Sequence, residues 1–251
     1  MNQFYITLPS NTIGDGNNTP SQFIVRLPQK VNLVGDWECG LCQLIYPHNW
    51  EILTNEEREI KIQDANKKEH VIKLPDSCYD TVKDVIEAIQ FYIQNNINEN
   101  ISKGVFLTYH SSIKRVYIKI VKDYVKKITF SAGLAKKLGY DSTIISMSSL
   151  GTHEIDLTSG KVDVMYIYMN ILEHQIVGDV SAPLLRIINV EGKYPDIIDR
   201  TFDYPHYLPI LVKDISQIEV SIKDDLDKYI KFSSGKVIIK LHFRKVKQSL
   251  L

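Results

Sequence analysis

Cysteine is scarce in this chain: of 251 residues only Cys39, Cys42 and Cys78 carry a thiol. Three is an odd number and far below the density of a disulfide-stapled secreted domain, so the sequence predicts folding in a reducing compartment without disulfides. An excess of one charge is equally absent. Lysine and arginine number 30 and aspartate and glutamate 30, which leaves no surplus of cations to follow a phosphate backbone, and nucleic acid is not an expected partner. No stretch approaches the roughly 18 apolar residues of a membrane span. The opening residues Met1 to Ile6 lack a basic region followed by an apolar run, and the expectation is a chain made in the cytosol or nucleus. Glycine (12) and proline (9) are too few for a disordered or low-complexity chain.

What is present favours strands: 14 tyrosines, 2 tryptophans and many valines and isoleucines. Phe4, Ile6 and Leu8 alternate, a polar loop follows from Ser10 to Ser21, and Phe23, Val25 and Leu27 alternate again before Pro28. From Trp37 to Tyr46 apolar residues fall on both faces, as in a central strand of a sandwich, and Pro47 ends the run. Val162 to Leu172 is likewise apolar on both faces, and Leu184 to Val190 is a shorter apolar run. Ile218, Val220 and Ile222 alternate with polar neighbours, as do Val237, Ile239, Leu241 and Phe243. Trp37, Tyr166, Ile218, Val220, Leu241 and Phe243 are the predicted core.

The middle of the chain reads differently. Two charged strands, Glu59 to Ile62 and His70 to Leu74, precede Asp80-Thr81, a helix N-cap, and then Val82, Val85, Ile86, Ile89 and Ile93 at helical spacing. Strands follow near Val105 to Tyr109 and Arg115 to Val121, then a short helix from Ser131 closed by Gly139. The N-terminal strands alone have too little surface for a core. The predicted fold is therefore mainly β: one discontinuous two-sheet sandwich from residues 1–54 and 151–251, with an α+β unit inserted at 55–150, and two independent domains in tandem as the alternative.

Motifs that carry chemistry are missing or incomplete. Cys39-Gly40-Leu41-Cys42 has redox or zinc-knuckle spacing, yet on a strand residues three apart point to opposite faces, and Cys78 stands alone. His48, His70, His110, His153, His174, His206 and His242 are scattered singly. Asp224, Asp225 and Asp227 lack the spaced donors and distal glutamate of a calcium loop and read as a hairpin turn. No phosphate-binding glycine loop or GxSxG elbow occurs. No catalytic, cofactor-binding or metal-ligating residue is assigned, and the expectation is that the chain is not an enzyme. Lys114, Arg115, Lys119, Lys122, Lys126, Lys127, Lys136 and Lys137, interleaved with Tyr117 and Tyr124, form a basic set that reads as a solvated face, with a polyanion-binding surface as the alternative.

Ordered strings along the chain resemble the minor capsid (penton) proteins of virophages and Maverick/Polinton elements. They are Phe4 to Asn11 (FYITLPSN), Phe23 to Pro28, Gly35-Asp36-Trp37-Glu38, Ile45 to Trp50, Leu134 to Tyr140, Met165 to Tyr168, Ile176 to Asp179, Leu184-Leu185-Arg186 and His206 to Pro209. The most specific are Ile218 to Ile222, Gly235-Lys236-Val237 and Leu241 to Arg244. The resemblance implies a single jelly roll that forms homopentamers at capsid five-fold vertices, beside a double jelly-roll major capsid protein, in the virion. One departure is Asp227-Lys228, where the family pattern has a glycine in the turn. The alternative is a β-sandwich binding module for a glycan or host receptor, using the aromatics Tyr46, Trp50, Tyr204 and Tyr207.

Overall fold

The computed structural model describes residues 2–12, 16–50, 52–75, 79, 82–96, 99–156 and 162–246. Cys78 and the Asp80-Thr81 cap lie outside the described residues. The chain divides into two compact units, Met1–Trp50 with Val162–Leu251, and Glu51–Lys161. The sequence reading put the breaks four and eleven residues away, at 54/55 and 150/151; Ile52, Leu53 and Ile155 instead pack with the second core.

The first unit opens with β1 (Gln3–Pro9), β2 (Gln22–Asn32) and β3 (Trp37–Pro47). The second unit follows: β4 (Glu59–Asp64), β5 (Glu69–Lys73), α1 (Val82–Asn96), α2 (Glu99–Ser102), β6 (Val105–His110), β7 (Arg115–Ile120), β8 (Val125–Phe130), α3 (Ala132–Lys137), β9 (Ile144–Ile145) and β10 (Ser149–Leu150). The chain then returns to the first unit through β11 (Val164–Met169), β12 (Gln175–Val177), β13 (Val180–Ala182), β14 (Leu184–Asn189), β15 (Ile197–Thr201), β16 (Leu208–Pro209), β17 (Asp214–Lys223) and β18 (Ile238–Lys245).

Two antiparallel sheets form the walls of the first unit, in the orders β1-β18-β3-β15 and β14-β11-β17-β2. The pairings are nested: β1 with β18, β2 with β17, β3 with β15, and β11 with β14. A long antiparallel hairpin rolled on itself has that nesting, with β18 reaching β3 and β17 reaching β11 where the roll closes. This is a single jelly-roll β-sandwich. Its inner faces share one core that includes Phe23, Trp37, Ile167, Ile218, Val220, Leu241 and Phe243. Burying the larger of these side chains stabilises the fold by about 1.5–3 kcal/mol each.

Two details correct the sequence reading. In β3 the register passes from Lys240↔Gln43 to Leu241↔Leu41, so Cys42 is the extra residue of a β-bulge. The bulge shifts the alternation by one, and Trp37, Cys39, Leu41, Leu44 and Tyr46 all turn inward. The apparent two-faced apolarity of β3 is therefore one apolar face interrupted by a phase change. In β11 the inward residues are Met165, Ile167 and Met169, and Tyr166 lies half-buried on the outer face instead of in the core. Methionine and isoleucine carry no hydroxyl to satisfy, whereas an inward tyrosine would need a buried partner for its O–H.

The second unit holds the sheets β5-β4-β8-β9 and β10-β7-β6 over a separate core. Val85, Ile86, Ile89 and Ile93 form the buried stripe of α1. Ser131 caps α3 by accepting the Leu134 N–H at 3.2 Å, and Gly139 follows with a φ of 82°, a left-handed position suited to glycine. Within α3, a Cβ at Gly133 would collide with the Glu57 carboxylate. Alanine is the better helix former by about 1 kcal/mol. Gly133→Ala is nevertheless expected to lower the far-UV circular dichroism midpoint, since Glu57 is tied to Lys137 and Thr54; a raised midpoint would show that Glu57 yields freely.

Candidate functional site

The residues singled out by sequence do not converge. Cys39 is buried in the core and Cys42 is half-buried on the opposite face of β3, both as free thiols. Burial pushes both thiols up, Cys39 well above its ordinary value and Cys42 against the opposing pull of Lys240. Three of the histidines have separate partners. His48 Nδ1 lies 3.0 Å from the Glu191 carbonyl, His70 Nε2 3.1 Å from Asp64, and His153 Nε2 2.9 Å from Asp141. Among the described residues no group of three or more His, Cys, Asp and Glu could hold a metal ion. No helix among them is long and apolar enough to cross a membrane.

Of the aromatics proposed for ligand recognition, Tyr46 and Trp50 are buried, which removes them from any accessible surface. Tyr46 hydroxyl oxygen accepts the Glu191 N–H at 3.2 Å, and Trp50 packs on His48 and Phe232. Tyr204 is exposed, while Tyr207 belongs to a stack on the outer face of the β1-containing sheet. There the Arg244 guanidinium sits 3.4 Å from the Tyr207 ring centroid, the Tyr207 hydroxyl is 2.7 Å from His242 Nδ1, and Tyr5 stacks on His242 at 4.5 Å. Burial, reinforced by Arg244, holds the His242 imidazole below its ordinary value. Gly40 makes room for this arrangement: a Cβ there would meet Pro205 at 2.9 Å and the His206 carbonyl at 3.0 Å.

The basic set is also divided. Lys137 is buried, its ammonium donating to Glu57 at 2.7 Å and to the Ile52 carbonyl at 2.6 Å. It is a structural ion pair and not part of a solvated face. Lys114 pairs with Glu154 at 3.9 Å. Arg115, Tyr117 and Lys119 occupy alternate positions of β7, opposite the buried Val116, Ile118 and Ile120. Lys126 and Lys127 belong to β8, a strand that the run of lysines conceals in the sequence.

A defined concavity lies on the outer face of the other wall. Because β11 and β17 turn Ile167, Val220 and Ile222 inward, Tyr166, Tyr168, Ser221 and Lys223 face outward, with Tyr166 opposite Lys223 and Tyr168 opposite Ser221. The β12–β13 hairpin, turning at Gly178 with a φ of 64°, walls one side. The turn after β17 walls another, closing a cleft of about 660 Å³. Asp224 builds that turn by accepting the Leu226 N–H at 2.9 Å and the Lys228 N–H at 2.8 Å. Asp227 adopts a φ of 60°, and aspartate is one of the few side chains that tolerate it. Lys223 ties the turn to the sheet: its ammonium is 2.7 Å from Asp227 and lies over the Tyr168 and Tyr229 rings at 5.8 and 5.4 Å. Burial first, and the Asp227 charge second, raise the Tyr168 hydroxyl above its ordinary value. The sequence flagged the aspartates but not their tyrosine neighbours, which only the strand phase brings together.

No family model matches the chain, and no curated protein matches it. Among solved structures it is similar to the crystal structure of a mavirus penton protein, at 11% sequence identity and a TM-score of 0.47, over 98% of this chain and 100% of that one.

Proposed function

We propose that this chain is a structural capsid protein: a minor capsid (penton) subunit that assembles as homopentamers at the five-fold vertices of an icosahedral virion, beside a double jelly-roll major capsid protein. The observation that carries this reading is where the family-like strings fall. Phe4 to Pro9 lies in β1, Phe23 to Pro28 in β2, Met165 to Tyr168 in β11, Leu184 to Arg186 in β14, Ile218 to Ile222 in β17 and Leu241 to Arg244 in β18. Six of the twelve strings thus fall on strands of the jelly-roll walls, while the others lie in connections, at strand ends or, for Leu134 to Tyr140, in the second unit.

The physical case is coherent with that placement. Identical copies around a cyclic axis meet through two different patches of each subunit, and closure of the ring ends growth. Balanced charge removes the like-charge repulsion that assembly would otherwise face. Apolar side chains are available to bury: Ile176 is 89% exposed, Ile197 76% and Leu211 61%. The mechanism on this reading is shape, interface burial and symmetry, with no reacting group. Light scattering on purified protein after size exclusion is expected to return about five times the 28.9 kDa chain mass. Monomer alone under every assembly condition would overturn the proposal.

A further inference from the structure

We propose that the cleft between Tyr166, Tyr168, the β12–β13 hairpin and the turn after β17 is a binding site for a neutral saccharide. This goes beyond the capsid reading, and its chemistry does not depend on oligomeric state.

At about 660 Å³ the cleft is within the range of small-ligand sites. Its lining offers three tyrosine hydroxyls, from Tyr166, Tyr168 and Tyr229, and the Tyr166 ring supplies an apolar face that Lys223 does not cover. Such a surface suits a pyranose, which has one C–H face to lay on a ring and a rim of hydroxyls to hydrogen-bond. Ser221 contributes a further hydroxyl. Asp179, on the hairpin, and Asp225, on the turn after β17, both line the cleft, are exposed, and have no side-chain hydrogen bond or ion pair with any described residue. Their carboxylates are free to accept from sugar hydroxyls, and such charge-assisted bonds are roughly twice as strong as neutral ones.

The electrostatics narrow the ligand class from both sides. Among the described residues that line the cleft, Asp179, Asp224, Asp225 and Asp227 are balanced by one cation, Lys223, so the local field opposes phosphate, sulfate and sialic acid. A lysine or arginine side chain is the other candidate for tyrosines beside carboxylates. That role is already filled from within, since the Lys223 ammonium lies over Tyr168 and Tyr229 and is bound to Asp227. An incoming cation would meet it. A neutral polyol takes up the remaining Tyr166 face and the two unpaired carboxylates without either conflict.

The test uses the full-length protein on an array of neutral oligosaccharides ending in glucose, galactose, mannose or N-acetylglucosamine, with 3′-sialyllactose and a tetra-arginine peptide alongside. At least one neutral glycan is expected to bind saturably, and Tyr166→Ala and Asp225→Asn are each expected to weaken it by about tenfold or more. Asp225→Asn, an exposed change, should leave the thermal midpoint in place, so a folding defect cannot mimic the result. Binding to no neutral glycan, binding only to sialyllactose or to the peptide, or undiminished binding in both variants would each overturn the proposal. Those failures are independent of whether the wild-type protein is a pentamer.

Discussion

Lys137→Met is expected to destabilise the Glu51–Lys161 unit by about 3–5 kcal/mol, because it strands a buried carboxylate. The side chains of Lys137 and Glu57 are 9% and 11% exposed, and the ammonium is satisfied by Glu57 and the Ile52 carbonyl together. Glu57 in turn accepts the Thr54 N–H at 2.8 Å, while the Glu57 N–H donates to Thr54 Oγ1 at 3.3 Å, a reciprocal cap that holds the turn entering β4. Removing the cation leaves the carboxylate its cap but not its counter-charge. The double variant Lys137→Met, Glu57→Leu removes both charges, and its loss should be far smaller than that of the single variant. The two units can be read separately, since both tryptophans, Trp37 and Trp50, lie in the first unit. Urea unfolding followed by far-UV circular dichroism should shift with Lys137→Met while the tryptophan fluorescence transition stays in place. An unchanged dichroism transition would contradict the buried pair.

Phe243→Ala is expected to do the reverse, moving the tryptophan transition by about 3–5 kcal/mol. Phe243 is fully buried on β18, stacked on Phe4 at 4.9 Å between ring centroids, and Phe4 also meets Trp37 at 5.5 Å. Truncation opens a cavity where the first strand, the last strand and β3 meet. If tryptophan fluorescence melted as in wild type, Phe243 would not be in the core that joins these strands.

Legibility followed the strength of local periodicity. Where one face is buried and the other polar, as in β1, β2, β17 and β18, period-two alternation located the strand and its inward residues. The Ser131 cap and Gly139 marked the ends of α3 because each supplies a specific backbone requirement. Periodicity failed where it was interrupted or masked. The bulge at Cys42 made a one-faced strand look two-faced, and β11, apolar throughout, left its phase undetermined, so that Tyr166 was placed in the core and the cleft went unseen. Lys126 and Lys127 hid β8, and β15, with Ile197 exposed at the sheet edge, has too mixed a pattern to stand out. Lys137 could not be told from its neighbour Lys136 by composition, since its partner Glu57 lies 80 residues earlier in the chain.

The jelly roll requires the first strand to pair with the last, and a covalent trap tests that pairing directly. Thr7 and Lys240 are partners across β1 and β18, and neighbours in such pairs have Cβ atoms about 4.5–5.5 Å apart. Thr7→Cys with Lys240→Cys, in a Cys42→Ser background to remove the nearby thiol, should close an intrachain disulfide under mild oxidation, identified by peptide mapping with mass spectrometry. Recovery of both thiols free, or of cross-links only between different molecules, would contradict a single sandwich built from the two ends of the chain.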